Sequence, residues 1–277
     1  MMKNKTPIQN ILFTIMVVFV MLITLFPIYW ILATSLKGPL EVVSPIPTMF
    51  PHAFTLVNFT EVLKSGFIHN LFNSLIVTCL STVLSLVLAF CTSYALSRYK
   101  FPFKFNVIFL VWILVIKILP PVVLAIPLYT MLNKLRLINH LTALVIVYQI
   151  YTLPYCVWMI FGFLKVVPRE YEEAAYIDGA SKSYTMFKIV LPLVRAGLIA
   201  TSIFAAITAW DEFLFALLFI RSPEKQTLPL VIASYIGEYE TLWGQLMSIG
   251  LLTCIPMLLF TNRVYKYYTQ GFSMSLK

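Results

Sequence analysis

Side chains able to do chemistry are scarce in the apolar stretches of this sequence, so those that occur there carry information. Lys117, Asp211 and Glu212 stand in apolar runs, and Tyr148, Gln149 and Tyr151 share another. An ionisable group in such surroundings is costly and marks a partner, a cavity or a polar path. Two arrangements fit. Lys117 and Asp211 form an internal ion pair that locks helices together, or they line a path with Gln149 while Tyr148 and Tyr151 offer faces on which a solute ring stacks. Catalysis would require a convergent set of His, Cys or carboxylate groups within the runs, and only Lys117, Asp211 and Glu212 are available. His52, His69 and His140 fall outside the runs or at their ends. Cys79, Cys91, Cys156 and Cys254 lie singly in apolar stretches at no metal-ligand spacing. No G-x-x-x-x-G-K-[ST] phosphate loop occurs, so any ATP used is bound by another chain. No metal and no cofactor is expected.

The elements that hold these residues are long and apolar. Of 277 residues, 60% are hydrophobic and 11% charged, and the mean hydropathy is +0.90. A water-soluble domain of this size cannot hide so much apolar surface, whereas a bilayer accepts it. The expected fold is an all-α integral membrane protein. Runs of about twenty apolar residues predict six transmembrane helices: Ile11–Leu36, Asn70–Leu96, Phe105–Leu132, Leu141–Leu164, Gly197–Ile220 and Leu246–Tyr265. The first is too long for the apolar region of a signal peptide and ends in Pro27-Ile28-Tyr29-Trp30 rather than small residues, so it reads as an uncleaved anchor. By helical rise, Lys117, Asp211 and Gln149 lie roughly 18, 14 and 12 Å into their spans, near the middle of a core about 30 Å thick. Asp211 and Glu212, neighbours on one helix, point about 100° apart, and Glu212 is expected to be the structural member.

The basic residues fall between the runs and form no stripe with interleaved aromatics, which argues against nucleic acid despite the net charge of +9. Placing the N-terminus inside puts twelve of them in the cytoplasm: Lys3, Lys5, Arg98, Lys100, Lys104, Lys165, Arg169, Lys182, Lys188, Arg263, Lys266 and Lys277. Six fall outside, namely Lys37, Lys64, Lys134, Arg136, Arg221 and Lys225, and Lys117 and Arg195 lie near or within spans. The positive-inside rule then favours two cytoplasmic termini, residues 1–10 and 266–277. Two external segments are long. Residues 37–69 carry Pro39, Pro45, Pro47 and Pro51, which forbid a continuous helix and suggest an extended, braced excursion. Arg221–Gly244 carries Pro223, Pro229, Tyr235, Tyr239 and Trp243. Each is either a solvated connector or a docking face for an external partner.

Within the core expected at 70–265, the inner loop 165–190 has a definite local design. Pro168 suits a helix start, and Glu170, Glu172 and Glu173 set negative charge at the positive end of its dipole. Ala174 and Ala175 keep the helix thin, Gly179 suits a left-handed end, and Ser181 can cap a second short helix. The prediction is a compact helix-turn-helix at the inner membrane surface.

Glu173-Ala174-Ala175, three residues, Gly179, nine residues and Ile189-Val190-Leu191-Pro192 resembles the EAA loop of binding-protein-dependent ABC importer permeases. The resemblance implies the type I importer permease fold. In that family this loop is the coupling helix that seats in a cleft of the ATPase, so Glu173, Ala174, Ala175, Asp178 and Gly179 inherit that role by position. Ile177-Asp178-Gly179-Ala180-Ser181 is more particularly similar to the carbohydrate branch, the second permease of maltose-type systems. So are Leu36-Lys37 with Glu41-Val42 and Thr55 to Phe59, Leu119-Pro120-Pro121 to Tyr129, and Trp210-Asp211-Glu212-Phe213. Asp211 stands where that branch usually carries asparagine, and the tail Gln270 to Lys277 keeps one glycine of a glycine-rich ending. The resemblance implies a bacterial plasma-membrane importer of a sugar or oligosaccharide that is not itself an enzyme. Its implied partners are a second permease chain, an ATP-binding subunit dimer, an extracytoplasmic substrate-binding protein and membrane lipid. An importer of another solute such as glycerol phosphate and, behind it, a secondary transporter are the alternatives. The latter would have no reason to carry the full loop pattern.

Overall fold

A computed structural model of the chain describes residues 7–237 and 240–274. Lys3, Lys5, Tyr239 and Lys277 lie outside the described residues, as does the side chain of Lys266. Among the described residues the structure is helical, and the one strand-like pairing is the bridge between Ile236 and Thr241. The chain divides into two compact units: residues up to Phe67 with Ile232–Ile255, and Ile68–Val231 with the residues from Pro256 onward.

In the first unit, α1 (Pro7–Ser35) is apolar on every side, and residues 10–28 are all exposed. A helix with no polar face and no protein cover is built for lipid. The proline-rich segment after it is not the extended excursion expected from its sequence. It holds two short helices, α2 (Pro39–Val42) and α3 (Val57–Lys64), and winds the intervening chain around two charged side chains. The Lys37 ammonium, 3% exposed, donates to the Thr48 carbonyl at 2.5 Å and sits 4.8 Å from the Trp30 ring centroid. The Glu41 carboxylate accepts from the Thr48 hydroxyl at 2.7 Å and from the His52 backbone N–H at 3.1 Å. Prolines deny this stretch a helical ladder, so side chains satisfy its backbone instead. Asn58 donates to the carbonyls of Ser35 and Lys37 at 3.0 and 2.8 Å, closing the end of α1.

The second unit holds all of α4 (Phe67–Arg98) but its first residue, and this helix contains neither Pro nor Gly and runs unbroken. The three spans expected at Phe105–Leu132, Leu141–Leu164 and Gly197–Ile220 are each interrupted. α5 (Phe105–Val115) leads through a 3-10 turn (Ile116–Ile118) into α6 (Pro121–Lys134) with a bend of 96°. Leu119 and Pro120 each precede a proline and are forced into extended backbone, which ends the first helix. α7 (Leu141–Val147) and α8 (Gln149–Val166) meet at 40°. The Gln149 side chain takes the Val145 carbonyl at 2.8 Å, and Pro154 has no N–H to return to Ile150.

α9 (Glu170–Ile177) and α10 (Lys182–Tyr184) follow, and a π-helical turn (Thr185–Val190) runs through α11 (Leu191–Leu193) into α12 (Arg195–Trp210). The bend between Lys182–Leu193 and Arg195–Trp210 is 77°. α12 stops at Trp210, and α13 (Leu214–Phe219) begins anew after three non-helical residues. Counting each bent pair as one span, the described residues hold up to six helical segments long and apolar enough to cross a membrane. α14 (Leu228–Ser234) and α15 (Trp243–Met274) complete the chain.

The core of the second unit forms two apolar clusters with a polar layer between them along α4 and α8. One gathers Val77, Leu144, Tyr148, Phe215 and Phe219, and the other Ala89, Phe90, Cys156, Ile160 and Val190. In the layer, Ser85 donates to Gln149 at 2.6 Å and lies 2.5 Å from the Thr152 hydroxyl. Gln149 in turn donates to the Ser81 carbonyl at 3.2 Å. Lipid gives helices no hydrophobic reason to associate, so such bonds, about 0.6 kcal/mol each on average, and close small-residue packing hold them. Gly197 of α12 supplies the latter: a Cβ there would fall 2.3 Å from the Phe163 ring of α8.

Candidate functional site

The loop at 165–190 is anchored by one of its acidic residues and presents another. Helical geometry sets Glu172 and Glu173 about 100° apart. Glu172 turns inward, 5% exposed, while Glu173 and Ala174 face out and Ala175 is buried. The Glu172 carboxylate accepts from Arg98 Nε at 2.5 Å and from the Tyr94 hydroxyl at 2.7 Å, both at the end of α4. Arg98 also donates to the Val167 carbonyl at 3.1 Å, and Arg169 donates back to the Ser97 carbonyl at 3.1 Å. The carbonyls of a helix's last turn lack intrahelical partners, and Arg169 satisfies one of them.

The far end of α9 closes by backbone geometry. Gly179 has φ +83°, its N–H bonds the Tyr176 carbonyl at 3.1 Å, and the Ala180 N–H bonds the Ala175 carbonyl at 2.9 Å. That pair of bonds is a Schellman motif, which requires a left-handed residue where Gly179 stands. Asp178 is the C-cap, and the Ser181 hydroxyl caps α10 by accepting from the Tyr184 N–H at 3.2 Å. Pro168 sits two residues before the helix, with Arg169 as N-cap. Gly179, Asp178, Tyr184 and Ile189 line an open concavity of about 600 Å³ beside this turn.

The residues expected at mid-span are not brought together as one group. Asp211 and Glu212 are not on a continuous helix. Asp211 is the exposed C-cap of α12, and Glu212 lies in the break, 8% exposed. The Glu212 carboxylate accepts from the N–H groups of Phe215 at 2.9 Å and Ala216 at 3.3 Å. A side chain that satisfies the first N–H groups of α13 starts a new helix there, which is why the fifth span breaks. Lys117 is exposed and its ammonium lies 5.1 Å from the Tyr155 ring centroid. Among the described residues no ion pair joins Lys117 to Asp211. The internal pair offered by the sequence gives way to a cation–π contact, because the breaks at Leu119 and Trp210 move both charges off regular helix. Gln149 spends its amide on Ser81, Ser85 and Val145. Tyr148 is buried with its hydroxyl 3.5 Å from the Glu212 carbonyl, and Tyr151 is half-buried against Phe215, ring centroids 5.2 Å apart.

Sequence reasoning counted Arg98 as a topology charge and Glu172 as a dipole charge, and did not consider Tyr94. Their convergence is long-range. The one local clue was the pair of adjacent glutamates, since a helix cannot expose both equally. The two helix breaks have local signals, in Leu119-Pro120-Pro121, where two consecutive prolines force extended backbone, and in Asp211-Glu212. Among the described residues no group of three His, Cys, Asp or Glu side chains could hold a metal.

Comparison with known proteins agrees with this architecture. Residues 81–274 match the family described as "Binding-protein-dependent transport system inner membrane component". The chain is 38% identical to the sulfoquinovosyl glycerol transport system permease protein SmoH of Agrobacterium fabrum, over 89% of this chain and 88% of that protein. It is 31% identical to the trehalose/maltose transport system permease protein MalG of Thermococcus litoralis, over 95% of each. In structure it is similar to a chain of a bacterial ABC transporter involved in the import of alginate, with a TM-score of 0.78 and 19% identity. That likeness covers 96% of this chain and 99% of the other. An all-helical chain with membrane-length apolar helices and a capped helix-turn-helix, matched by this family over most of its length, is thus a member of the binding-protein-dependent transport system inner membrane components, a permease subunit of an ABC transporter and not an enzyme.

Proposed function

We propose that this permease forms part of the translocation pathway of an importer for a sugar or oligosaccharide, moved by alternating access and driven by a separate pair of ATP-binding subunits. A second permease chain completes the pathway and an extracytoplasmic binding protein delivers the solute. Both termini and α9 lie on the cytoplasmic side, as the distribution of Lys and Arg favours. α9 is the coupling helix, and the observation that carries this reading is its division of labour. Glu172 and Ala175 fasten it to its own chain, leaving Glu173, Ala174, Asp178 and Gly179 exposed to a partner. A knob transmits motion only if its base is rigid and its tip is free to pack. The carbohydrate class is supported by relatives named for sulfoquinovosyl glycerol and for trehalose and maltose.

Along the path, Lys117, Asp211 and Tyr151 are the candidates that keep accessible surface for a solute. Tyr148 and Gln149 are engaged by their own chain, at the Glu212 carbonyl and at Ser81, Ser85 and Val145. Purifying the tagged permease with its copurifying subunits, then measuring ATP-dependent uptake of a panel of sugars, polyamines and amino acids in vesicles, tests the reading. Competable uptake of an amino acid with no response to any sugar would overturn it.

A further inference from the structure

We propose that Arg98, Glu172 and Tyr94 form a strut that makes α4 the lever by which movement of α9 reaches the middle of the second unit. The inference rests on the coupling role proposed for α9. The Arg98–Glu172 pair is nearly buried, with side-chain exposures of 9% and 7%, unlike an exposed surface pair of negligible worth. It is also not a single hinge. Glu172 is held by Arg98 and Tyr94, Arg98 reaches the Val167 carbonyl, and Arg169 returns a bond to the Ser97 carbonyl. Four bonds between the end of α4 and residues 167–172, which lead into α9, prevent rotation about any one of them, so the two segments move together.

α4 suits a lever. Its 32 residues contain no Pro or Gly and span about 48 Å by helical rise. Three other spans of the chain are bent at breaks, where displacement would be absorbed. Part-way along, α4 is bonded through Ser85 and the Ser81 carbonyl to Gln149, and through Ser85 to Thr152. Gln149 sits at the bend between α7 and α8. A continuous set of packed and bonded groups therefore runs from the coupling loop to the broken helix pair, the physical requirement for mechanical coupling. Arg98, Glu172 and Tyr94 act as positioning residues, since none of them is offered to the solute.

The test measures solute moved per ATP hydrolysed by the intact importer in vesicles, with yield of the complex as control. Breaking one side of a buried pair strands a charge and harms assembly, whereas removing both charges relieves it. Glu172→Gln and Arg98→Leu should each lower yield, and the double variant should recover it. The strut predicts that the recovered double variant still moves about tenfold less solute per ATP, a ratio within the usual range of coupling free energies. Tyr94→Phe keeps the ion pair and should assemble fully with a smaller loss, about threefold, and Arg98→Lys should fall between wild type and Arg98→Leu. A double variant and a Tyr94→Phe variant that both transport with the wild-type ratio overturn the strut and leave a structural pair. Absence of ATP-driven uptake by the wild-type complex would instead count against the coupling role of α9 itself.

Discussion

Glu172-Glu173 and Asp211-Glu212 are two adjacent acidic pairs, and the chain treats them by the same rule with different partners. In each pair one carboxylate is buried and fully engaged and its neighbour is exposed. Glu172 meets a guanidinium and a phenol. Glu212 meets two backbone N–H groups at the start of a helix. The difference follows from what each region does with its backbone. In α9 the buried acid turns away from its own helix end toward the last turn of α4, which supplies side-chain donors. The Asp211–Phe213 break exposes fresh N–H groups, and its buried acid takes those. The buried acids fix structure, which leaves Glu173 and Asp211 as the members free to act on a partner or a solute.

The largest expected effects come from the tip and base of α9. Ala174→Leu adds bulk on the exposed side, so it should leave the yield of the permease unchanged and cut ATP-driven uptake at least about tenfold, equivalent to 1.4 kcal/mol. Ala175→Leu adds the same bulk on the buried side and should lower yield instead, at an overpacking cost of about 1–3 kcal/mol. Gly179→Asp should uncouple while assembling, whereas Gly179→Asn should be better tolerated, because a Cβ there meets nothing within 4 Å and only the left-handed φ is at issue. Equal effects of Ala174→Leu and Ala175→Leu on yield would break the comparison between the free and engaged faces.

Next in size is the contrast within the second pair. Glu212→Ala strands the Phe215 and Ala216 N–H groups in a buried place and should destabilise by about 1–3 kcal/mol. Asp211→Ala removes an exposed group and should change stability by less than about 0.5 kcal/mol, while still affecting uptake if Asp211 meets solute. Thermal unfolding of the detergent-solubilised complex, read beside uptake, separates the two. A double-mutant cycle with Lys117→Met and Asp211→Asn sharpens this further. With no ion pair between them, the losses should add within about 0.5 kcal/mol, and restored transport in the double variant would show that the charges pair after all. Tyr155→Leu, which removes the ring beside Lys117, should cost about 0.5–1 kcal/mol of the cation–π contact.

These regions also differ in how far they could be read in advance. The helix-turn-helix at 170–184 was legible because its determinants are local: Glu residues at a helix start, Gly179 at a left-handed end, Ser181 at a cap. The three unbroken apolar helices were legible for the same reason, from run length alone. Residues at mid-span were harder. Run length joins Gly197 to Ile220 without a gap, and nothing apolar marks the break that Glu212 makes by competing for backbone N–H groups. Lys117 illustrates the limit. Helical rise gives its depth only if the helix is straight, and Leu119-Pro120-Pro121 bends that helix by 96° two residues later. The Arg98–Glu172 contact joins residues 74 positions apart, and no periodicity in one sequence carries such a pairing.

A third acid tests the rule where solvent has access. Glu41, in the proline-rich segment after α1, accepts from the Thr48 hydroxyl and the His52 N–H, with His52 Nδ1 at 3.0 Å. Its partners hold its pKa below the ordinary carboxylate value, chiefly through the Thr48 hydrogen bond. A depressed folded pKa contributes stability that is present above the unfolded value and lost as pH falls through the folded one. The segment should therefore keep its fold from neutral pH down to about pH 4 and loosen below that, read as faster proteolysis of residues 38–56. Glu41→Gln should remove this acid-side step and lower resistance at neutral pH. Because Glu41 is partly exposed and its contacts are screened by water, both changes should be smaller than the loss from Glu212→Ala. A Glu41→Gln effect at neutral pH as large as that loss would mean that exposed and buried acids hold this chain equally, and the rule drawn from the two pairs would fail.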